Sequence, residues 1–341
     1  MKKTVILITG ADGEVGHGLI EALYDDPTAP PIITLDMRRL SDAMLPYVEK
    51  HIVGNILDTT LLASLNADYN ITTVYHLAAL LSTRAEQHPE AAHQVNVQGT
   101  VNLLYLAAEQ AAARCERVKF LYPSSIAVYG LPDLATKARL GPVHEDVYLN
   151  PVTMYGANKL YCEHLGRYYT HHYRQLDIDH LPANIDFRGL RYPGLISALT
   201  LPSGGTSDYG PEMLHAAAAG RHYAAFVRED TTIPFMVMPD AIKALLALDA
   251  APRAALTRNT YNVTSFSLSA AEIAEQVQCY FPGAMISYVP HSGRQAIVDT
   301  WPANVDDSTA RADWGWQPDY DVEHAFADYP IPAIKRQYTP A

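Results

Sequence analysis

The residues best suited to chemistry in this sequence are Tyr155 and Lys159 in the segment YGANK, with Ser125 upstream. If a helix begins near Met154, Tyr155 and Lys159 lie on one face, with the ammonium close to the phenol. A nearby cation, either Lys159 or an oxidised nicotinamide ring, stabilises a phenolate and makes it a base. Ser125 could hydrogen-bond the same substrate oxygen. Because Tyr-x-x-x-Lys pairs are also common on plain helix surfaces, the surrounding elements decide between these interpretations.

The N-terminal segment is typical of a nucleotide site. A β-branched and apolar run over 4–8 predicts a buried strand, which leads directly into the loop TGADGEVG and then an amphipathic helix. Glycines let a diphosphate approach the backbone, and the N-terminus of the helix supplies free N–H groups. The predicted cofactor contacts here are Gly10, Gly13, Glu14, Val15 and Gly16.

A second predicted strand over 32–35 ends in Asp36, about twenty residues after the last glycine. A carboxylate there accepts from both ribose hydroxyls and repels a 2'-phosphate, which favours NAD, although Arg38 and Arg39 keep NADP as a minor alternative. The adenine end of the cofactor is expected near Met37, Asn55 and Ile56.

Strand and helix patterns continue to alternate along the first half of the chain. Further strands are expected over 51–53, 73–77, 119–123 and 185–191. This order predicts an α/β fold, a doubly wound parallel sheet of the Rossmann type. The fourth strand ends at Leu77 and leads into Ala78 and Ala79, which are small enough to let a cofactor pass. The fifth delivers Ser125 to the carboxyl edge, where ligands collect.

The regular alternation weakens after about residue 190. The predicted division is an NAD-binding domain over 1–190, with later segments at about 230–265 returning to it, and a smaller, mainly substrate-binding lobe over 191–341. Three tryptophans in this second half, Trp301, Trp314 and Trp316, are interpreted as core or lid packing.

Composition and net charge limit the kinds of partner that the protein is expected to bind. The chain has 341 residues and a net charge of -12, which argues against nucleic acid or an anionic membrane surface as the main partner. No apolar run reaches transmembrane length, and the first ten residues do not form a secretory signal. Three scattered cysteines, Cys115, Cys162 and Cys279, indicate a reducing cytoplasm, and Cys162 is interpreted as packing.

No metal site is predicted. The sequence has fourteen histidines but no His-Glu-x-x-His motif and no clustered Cys and His set. The adjacent pair His171 and His172 would diverge on a helix. Asp306 and Asp307 precede Ser308, where they are better placed to stabilise the start of a helix than to bind a metal ion.

The glycine pattern, the Ser125, Tyr155 and Lys159 set, and Asn96 within VNVQGTVNLL together resemble the extended short-chain dehydrogenases, which include nucleotide-sugar epimerases. The resemblance covers the first half of the chain. Asn96 is open to two interpretations, a catalytic role or a side chain bonded to its own backbone.

A narrower resemblance, to the short-chain type of L-threonine 3-dehydrogenases, covers nearly the whole chain. It rests on the segments HLAALLS, PSSIAVYG, LRYPGLIS, GGTSDY and the tail RQAIVDTWPANVDDSTARADWGW. The resemblance implies that Ser125 is the catalytic hydroxyl and that Leu195 lies against the nicotinamide. It implies an amino-acid pocket formed with Ser125 and Tyr155 by Ser82, Ser124, Thr206, Ser207 and Asp208. A homodimer formed through the helices that carry Val97 and Tyr161 is also implied.

The sequence departs from that family pattern in three places. Ser203 stands where a glycine is usual, the segment 291–294 differs, and an extra segment of roughly Arg174 to Asn184 lengthens one connection. The first two lie near the expected pocket, so they bear on the identity of the substrate more than on the type of reaction.

The leading hypothesis is NAD-dependent oxidation of the 3-hydroxyl of L-threonine, or of a close β-hydroxy amino acid, with Tyr155 as the base. One alternative is a nucleotide-sugar epimerase or dehydratase, which needs groups for a uridine diphosphate, and Arg221, Arg228 and Arg294 keep it open. A second is a non-catalytic NAD-sensing protein, against which the complete Ser, Tyr and Lys set argues.

Overall fold

The computed structural model describes residues 2–176, 184–202 and 204–338. Ser203 and the central part of the extra segment lie outside the described residues. The strands in the described ranges are β1 (Lys3–Thr9), β2 (Ile32–Asp36), β3 (Lys50–Val53), β4 (Tyr69–His76), β5 (Val118–Ser125), β6 (Ile185–Tyr192), β7 (Gly194–Ile196), β8 (Tyr223–Ala225), β9 (Thr232–Val237), β10 (Thr260–Asn262), β11 (Phe266–Ser269) and β12 (Ile286–Tyr288).

Seven of these strands form one parallel sheet in the order β3-β2-β1-β4-β5-β6-β10. The chain moves outward from β1 in one direction and then crosses to β4 on its other side, so the order reverses beside β1. That reversal is where an open α/β sheet binds its ligands. The arrangement confirms the predicted doubly wound α/β fold.

Helices cover the sheet and build the second lobe. The α-helices in the described ranges are α1 (Glu14–Tyr24), α2 (Thr59–Asp68), α3 (Ser82–Gln87), α4 (Pro89–Ala92), α5 (Gly99–Arg114), α6 (Leu134–Arg139), α7 (Met154–His171), α8 (Tyr209–Ala218), α9 (Met238–Ala250), α10 (Ala270–Tyr280), α11 (Ser292–Asp299), α12 (Ser308–Trp314), α13 (Val322–Asp328) and α14 (Pro330–Tyr338).

The chain from Pro89 to Arg114 does not form one continuous α-helix. A π-helical turn over His93–Gln98 separates α4 from α5, and Asn96 lies within it, fully buried. The wider turn redirects Asn96 toward the chain segment that follows β4. An apolar period alone cannot reveal such a turn, because the residues on either side keep their helical spacing.

Helix α7, which carries Tyr155 and Lys159, packs closely on the end of β5. Thr153 caps its N-terminus by accepting a hydrogen bond from the Gly156 N–H at 3.0 Å. At Gly156, an added Cβ would lie 2.0 Å from the carbonyl oxygen of Ala127. Only glycine allows this approach, which brings the start of α7 against the turn that follows Ser125.

The second lobe is built on smaller sheets. β7 and β11 flank β9, and β8 pairs with β12, while β10 joins the main sheet beside β6. Trp301 and Trp316 are buried, as the sequence predicts for core packing. Asp306 accepts from the Ser308 N–H and Asp307 pairs with Arg311, so both carboxylates serve the start of α12. The division into domains stays a prediction.

Gly156→Ala should destabilise the fold, even though alanine favours a helix over glycine by about 1 kcal/mol. The added methyl would displace the Ala127 carbonyl or the helix, at a cost of about 1 to 3 kcal/mol. Thermal unfolding would measure this loss. The matched control is Gly141→Ala, because nothing lies within 4 Å of an added Cβ there. Equal melting temperatures for the two variants would contradict the close packing.

Candidate active site

Tyr155 and Lys159 lie on the first two turns of α7, where the sequence predicts them. The Lys159 ammonium donates to the carbonyl oxygen of Pro123 at 2.6 Å. It lies 4.5 Å from the ring centroid of Tyr122 and 5.6 Å from that of Tyr155. Lys159 is therefore held between the end of β5 and the phenol ring of Tyr155.

Burial dominates the titration of both groups. It raises the pKa of Tyr155 above the ordinary value of a phenol, and it lowers the pKa of Lys159 to about 8. The expectation that Lys159 by itself lowers the pKa of Tyr155 is therefore not met in the protein alone. The phenol needs a further positive charge before it can act as a base near neutral pH.

The two serines at the end of β5 have different surroundings. Ser125 is half-buried, and its hydroxyl oxygen accepts from the Ala127 N–H at 3.1 Å, which leaves the hydroxyl proton free to donate. Ser124 is buried and donates its proton to Glu163 at 2.5 Å. Of the two, only Ser125 has a proton to offer a substrate oxygen.

The phosphate loop connects β1 to α1 with almost no clearance. Gly10 has a φ of +71°, and an added Cβ would lie 2.5 Å from the backbone nitrogen of Ala78. At Gly16 it would lie 2.3 Å from the Ala11 carbonyl oxygen. These contacts bring loop, helix and the segment after β4 together, so that the N-terminus of α1 is presented at the carboxyl edge of the sheet. The cradle fits a dinucleotide diphosphate.

Asp36 at the end of β2 is held by backbone hydrogen bonds. Its two carboxylate oxygens accept from the N–H groups of Asp12 and Arg38 at 3.1 and 2.9 Å. The Arg38 side chain bonds to the Asp12 carbonyl oxygen and pairs with its carboxylate at 3.3 Å. The remaining lone pairs of Asp36 suit ribose hydroxyls, and Arg38 is already paired, which favours NAD over NADP.

The predicted adenine-end residues differ in exposure. Met37 is exposed beside Asp36, while Ile56 is buried under Gly99. The Asn55 side chain accepts from the Leu57 N–H at 3.0 Å, and Asp58 caps α2. Asn55 and Ile56 therefore shape the turn after β3 and present its backbone at the sheet edge.

The segment from Leu77 to Ala79 is half-buried, with Ala78 against the phosphate loop and Asn96 beneath the residue that follows it. The Asn96 amide accepts from the N–H of Leu80 at 2.8 Å and donates to its carbonyl oxygen at 3.0 Å. Asn96 thus bonds to the backbone of another segment and not to its own. Because both backbone groups of Leu80 are engaged, this segment is fixed in place.

A neutral histidine supports the same segment from below. His76 bonds to the hydroxyls of Thr9 and Thr100 at 2.8 and 2.9 Å. Burial, together with the charge of Lys159, lowers its pKa to about 3. The sequence does not reveal this role, because only the fold places a threonine on each side of the ring.

Two of the predicted substrate residues, Ser82 and Thr206, bond to each other, whereas Asp208 bonds to the backbone of its own segment. The Thr206 N–H and hydroxyl both donate to the Ser82 hydroxyl oxygen, at 3.1 and 3.0 Å, although 124 residues separate them. Asp208 accepts from the N–H groups of Gly204 and Gly205 at 2.9 and 2.6 Å. Ser207 is half-buried next to Gly194. Leu195 lies one residue further along β7 and is half-buried.

Glu14 is the most perturbed carboxyl group at this edge. Burial raises its pKa to about 7, and the nearby charge of Asp208 adds to the shift, while a hydrogen bond with Thr200 opposes it. One of its carboxyl oxygens is buried without a hydrogen-bond partner in the structure. Glu14 therefore links the phosphate loop to the segment that precedes α8.

The sequence analysis overlooked Glu163 and Arg191. Glu163 lies four residues after Lys159 on α7, and Arg191 lies at the end of β6. They form a buried, two-pronged ion pair with separations of 3.0 and 2.6 Å. The helical spacing places Glu163 on the inner face, but only the sheet register shows that Arg191 meets it.

A parallel sheet with a glycine cradle at its point of reversal, and a Ser, Tyr and Lys set on the same edge, defines a short-chain dehydrogenase of the extended type. The comparisons agree with this class. Residues 6–264 match the model of the NAD dependent epimerase/dehydratase family. The chain belongs to that family, it is an NAD-dependent dehydrogenase, and its cofactor is NAD.

Three similar proteins are named as threonine dehydrogenases. The mitochondrial L-threonine 3-dehydrogenase of Bos taurus is 34% identical over 93% of this chain and 79% of its own length. A monomeric L-threonine 3-dehydrogenase from a metagenome, in its apo form, is 36% identical with a TM-score of 0.84, covering 98% of this chain and 100% of the other. The holo form of L-threonine dehydrogenase from Cupriavidus necator is 35% identical with a TM-score of 0.83, covering 97% and 99%.

The described ranges contain neither a metal-binding cluster nor a helix that could span a membrane. No group of three or more His, Cys, Asp or Glu side chains there is arranged to hold a metal ion. None of the helices in those ranges has both the length and the apolar character needed to cross a bilayer.

Glu14→Gln should stabilise the protein only at higher pH. The folded state holds the Glu14 proton more tightly than the unfolded chain, so its contribution to stability is complete below about pH 4.5 and is lost as the pH rises through about 7. Glutamine carries no charge at any pH. The variant should therefore match the parent melting temperature near pH 4.5 and exceed it by a few degrees at about pH 8.

Melting curves across that pH range would measure this difference. The matched control is Glu21→Gln on the exposed face of the same helix, which should show no such trend. A constant difference between Glu14→Gln and the parent across the range would show that Glu14 does not take up a proton on folding.

Proposed function

We propose that the enzyme oxidises the 3-hydroxyl of L-threonine, or of a close β-hydroxy amino acid, to the 2-amino-3-oxo acid with formation of NADH. The observation that carries this proposal is the position of Lys159, which bonds to the strand end that bears Ser125 and lies beside the ring of Tyr155. The threonine dehydrogenases among the similar proteins support the choice of substrate.

Each residue of the set has a separate task in this proposal. Ser125 donates its free hydroxyl proton to the substrate oxygen and orients the alcohol. Tyr155, as its phenolate, accepts the proton of the 3-hydroxyl, and the Lys159 ammonium stabilises that phenolate before the transfer and holds the nicotinamide ribose. Bound NAD supplies the hydride acceptor and the positive charge that the buried phenol requires. The protein contributes position, exclusion of water and placement of charge.

The residues proposed to hold the cofactor are those of the phosphate loop, the end of β2 and the strand ends beside them, namely Gly10, Gly13, Glu14, Val15, Gly16, Asp36, Met37, Asn55, Ile56, Leu77, Ala78, Ala79, Tyr155, Lys159 and Leu195. We assign NAD binding to residues 1–190 with about 230–265, and substrate binding mainly to the rest of 191–341.

The residues proposed for the amino-acid pocket are Ser82, Ser124, Ser125, Tyr155, Thr206, Ser207 and Asp208. The direct hydrogen bonds between Ser82 and Thr206 support this group, because they join two of its members across the chain. Ser124 is the weakest member, since its proton is donated to Glu163.

Two of the three arginines considered for a nucleotide sugar are engaged in other contacts. Arg228 makes a two-pronged ion pair with Asp299, with both separations at 2.9 Å, and also pairs with Asp230. The Arg294 guanidinium lies 4.3 Å from the ring centroid of Phe226. Arg221 remains exposed. These contacts favour an amino-acid substrate over a uridine diphosphate sugar.

A substrate panel tests the reaction. Purified protein with NAD and L-threonine should accumulate NADH, followed by its absorbance, whereas an epimerase regenerates its own NAD and shows no net change. Allo-threonine, serine and UDP-hexoses complete the panel. No NADH from any amino acid, together with conversion of a UDP-hexose, would replace the proposal with the epimerase alternative.

Tyr155→Phe should lower turnover about a hundred- to ten-thousand-fold, because the base is lost. The affinity for NAD, measured by calorimetry, should stay nearly unchanged, since the ring and Lys159 remain. Tyr161→Phe is the matched control, because this tyrosine lies on the same helix with its side chain exposed. Parallel loss of NAD binding and turnover in Tyr155→Phe would contradict the role assigned to its hydroxyl.

We further propose that two copies pair through the outer faces of α5 and α7. Tyr105, Tyr161 and Tyr168 on these helices are 45%, 51% and 40% exposed, which is unusual for aromatic side chains on a surface. A relative of known structure is described as monomeric, so the pairing must be tested directly.

Light scattering after gel filtration should give about twice the 37.5 kDa chain mass for the parent. Tyr161→Glu should shift the protein toward the monomer, because it places a charge in the contact. Tyr24→Glu is the control, since Tyr24 is equally exposed on α1. A parent protein that is monomeric at all concentrations would rule out this interface.

A cytoplasmic location stays a prediction. The three cysteines, Cys115, Cys162 and Cys279, are free thiols, which supports a reducing compartment. The bovine relative is named as mitochondrial.

A further inference from the structure

A buried polar network lies directly beneath the catalytic rim. Glu163 accepts the Ser124 hydroxyl at 2.5 Å and both prongs of Arg191, from Nε at 3.0 Å and from Nη2 at 2.6 Å. The side chains of all three residues are nearly inaccessible to solvent. Every oxygen of the carboxylate is therefore hydrogen-bonded within the protein.

The same arginine also bonds to the segment between β5 and α7. Its Nη1 donates to the Tyr129 hydroxyl at 2.8 Å and to the Glu145 carbonyl oxygen at 2.7 Å. Tyr129 in turn donates to the side-chain oxygen of Asn262 at 2.7 Å. One network thus joins the ends of β5, β6 and β10 to the catalytic helix α7.

Stability alone does not explain a buried ion pair. Removing two charges from water is costly, and apolar residues of similar volume often serve a fold equally well. The position of this pair suggests a different use. Ser124 is adjacent to Ser125, and Glu163 follows Lys159 by one helical turn, so the network fixes the two elements that carry the catalytic set relative to each other.

The charge of Glu163 also acts on Lys159. Burial lowers the pKa of Lys159, while Cys162 and the Glu163 carboxylate oppose that shift. The other groups that face the ammonium are His76, which is neutral, and the uncharged rings of Tyr122 and Tyr155. Among these neighbours Glu163 is the one carboxylate, although Arg191 offsets part of its charge.

We propose that Glu163 and Arg191 are positioning residues for the dehydrogenase reaction: the pair aligns Ser125 with Tyr155, and the Glu163 charge keeps Lys159 in its ammonium form. This inference rests on the proposed function, because it assigns the pair to the same reaction. It extends that function to two residues that touch neither substrate nor cofactor.

The test is Glu163→Gln, which keeps the shape and an acceptor for Ser124 but removes the charge. In the parent, kcat/KM for threonine should fall as the pH rises past about 8, where Lys159 loses its proton. In the variant that fall should begin about one pH unit lower, and kcat at neutral pH should drop about ten-fold or more. The affinity for NAD should also fall at high pH in the parent, and in the variant this fall should begin about one pH unit lower. Lys159→Met has no ammonium to lose, so its affinity for NAD should show no such fall.

A second variant guards against simple unfolding. Glu163→Leu combined with Arg191→Met removes both charges and fills the space. The fold should therefore survive, while the fall of kcat/KM and of NAD affinity at high pH should still begin at a lower pH than in the parent. Asp186→Asn is the matched control. It breaks another buried ion pair, of 2.6 Å with Arg188, on the same strand but near its opposite end. This control should lower the melting temperature and leave the pH profile unchanged.

The outcomes are distinct. If Glu163→Gln loses stability as Asp186→Asn does and keeps the parent pH profile in both kcat/KM and NAD affinity, the pair is only structural and the proposal is overturned. If the parent itself forms no NADH with threonine, the proposed function fails. The pH dependence of NAD affinity then decides the inference about Lys159 without any substrate.

Discussion

The contact between the start of α7 and the end of β5 is the constraint on which the site depends. The backbone of Gly156 approaches the Ala127 carbonyl so closely that no side chain fits, and Lys159 donates to Pro123 one turn later. A helix on a parallel sheet normally keeps a full layer of side chains between the two backbones. Here that layer is omitted at one point, so the phenol and the serine hydroxyl reach the same rim.

The close packing of α7 on β5 buries the Lys159 ammonium, and burial disfavours its charged form. Lys159 leaves water, so its ammonium needs compensation, and the protein supplies a carbonyl oxygen, two aromatic rings and the carboxylate of Glu163. Tyr155 is perturbed in the opposite direction, since burial disfavours its phenolate. In the proposed mechanism, the positive charge of a bound oxidised nicotinamide would lower the pKa of the phenol and increase the fraction of phenolate near neutral pH.

The sequence predicts the sheet well because its signals are local. β-branched runs, the glycine loop and the acid at the end of β2 each specify one element, and the rules for parallel sheets then arrange them. Tyr155 and Lys159 could be found in the same way, since helical spacing alone puts them together. The π-helical turn around Asn96 could not be predicted, because it changes hydrogen bonding without changing the apolar period.

Long-range pairings are the part that sequence reasoning could not supply. Arg191 is an unremarkable residue at the end of β6 until the register of β6 beside β5 brings it to Glu163. The pairing of Ser82 with Thr206 likewise depends on how the second lobe folds back over the sheet. The raised pKa of Glu14 depends on how deeply the fold buries its side chain, and no sequence motif records that burial.

The segment before α8 contacts two regions to which the proposal assigns ligand binding. Thr200 bonds to Glu14 in the phosphate loop, while Thr206 bonds to Ser82 at the start of α3. The segment before α8 therefore contacts both the residue that follows the glycine loop and the start of α3, where proposed cofactor and substrate residues lie. Within this segment the backbone N–H groups of Gly204 and Gly205 donate to the Asp208 carboxylate. Hydrogen bonds between residues far apart in the sequence therefore hold this segment against the carboxyl edge of the sheet, where the proposed site residues lie.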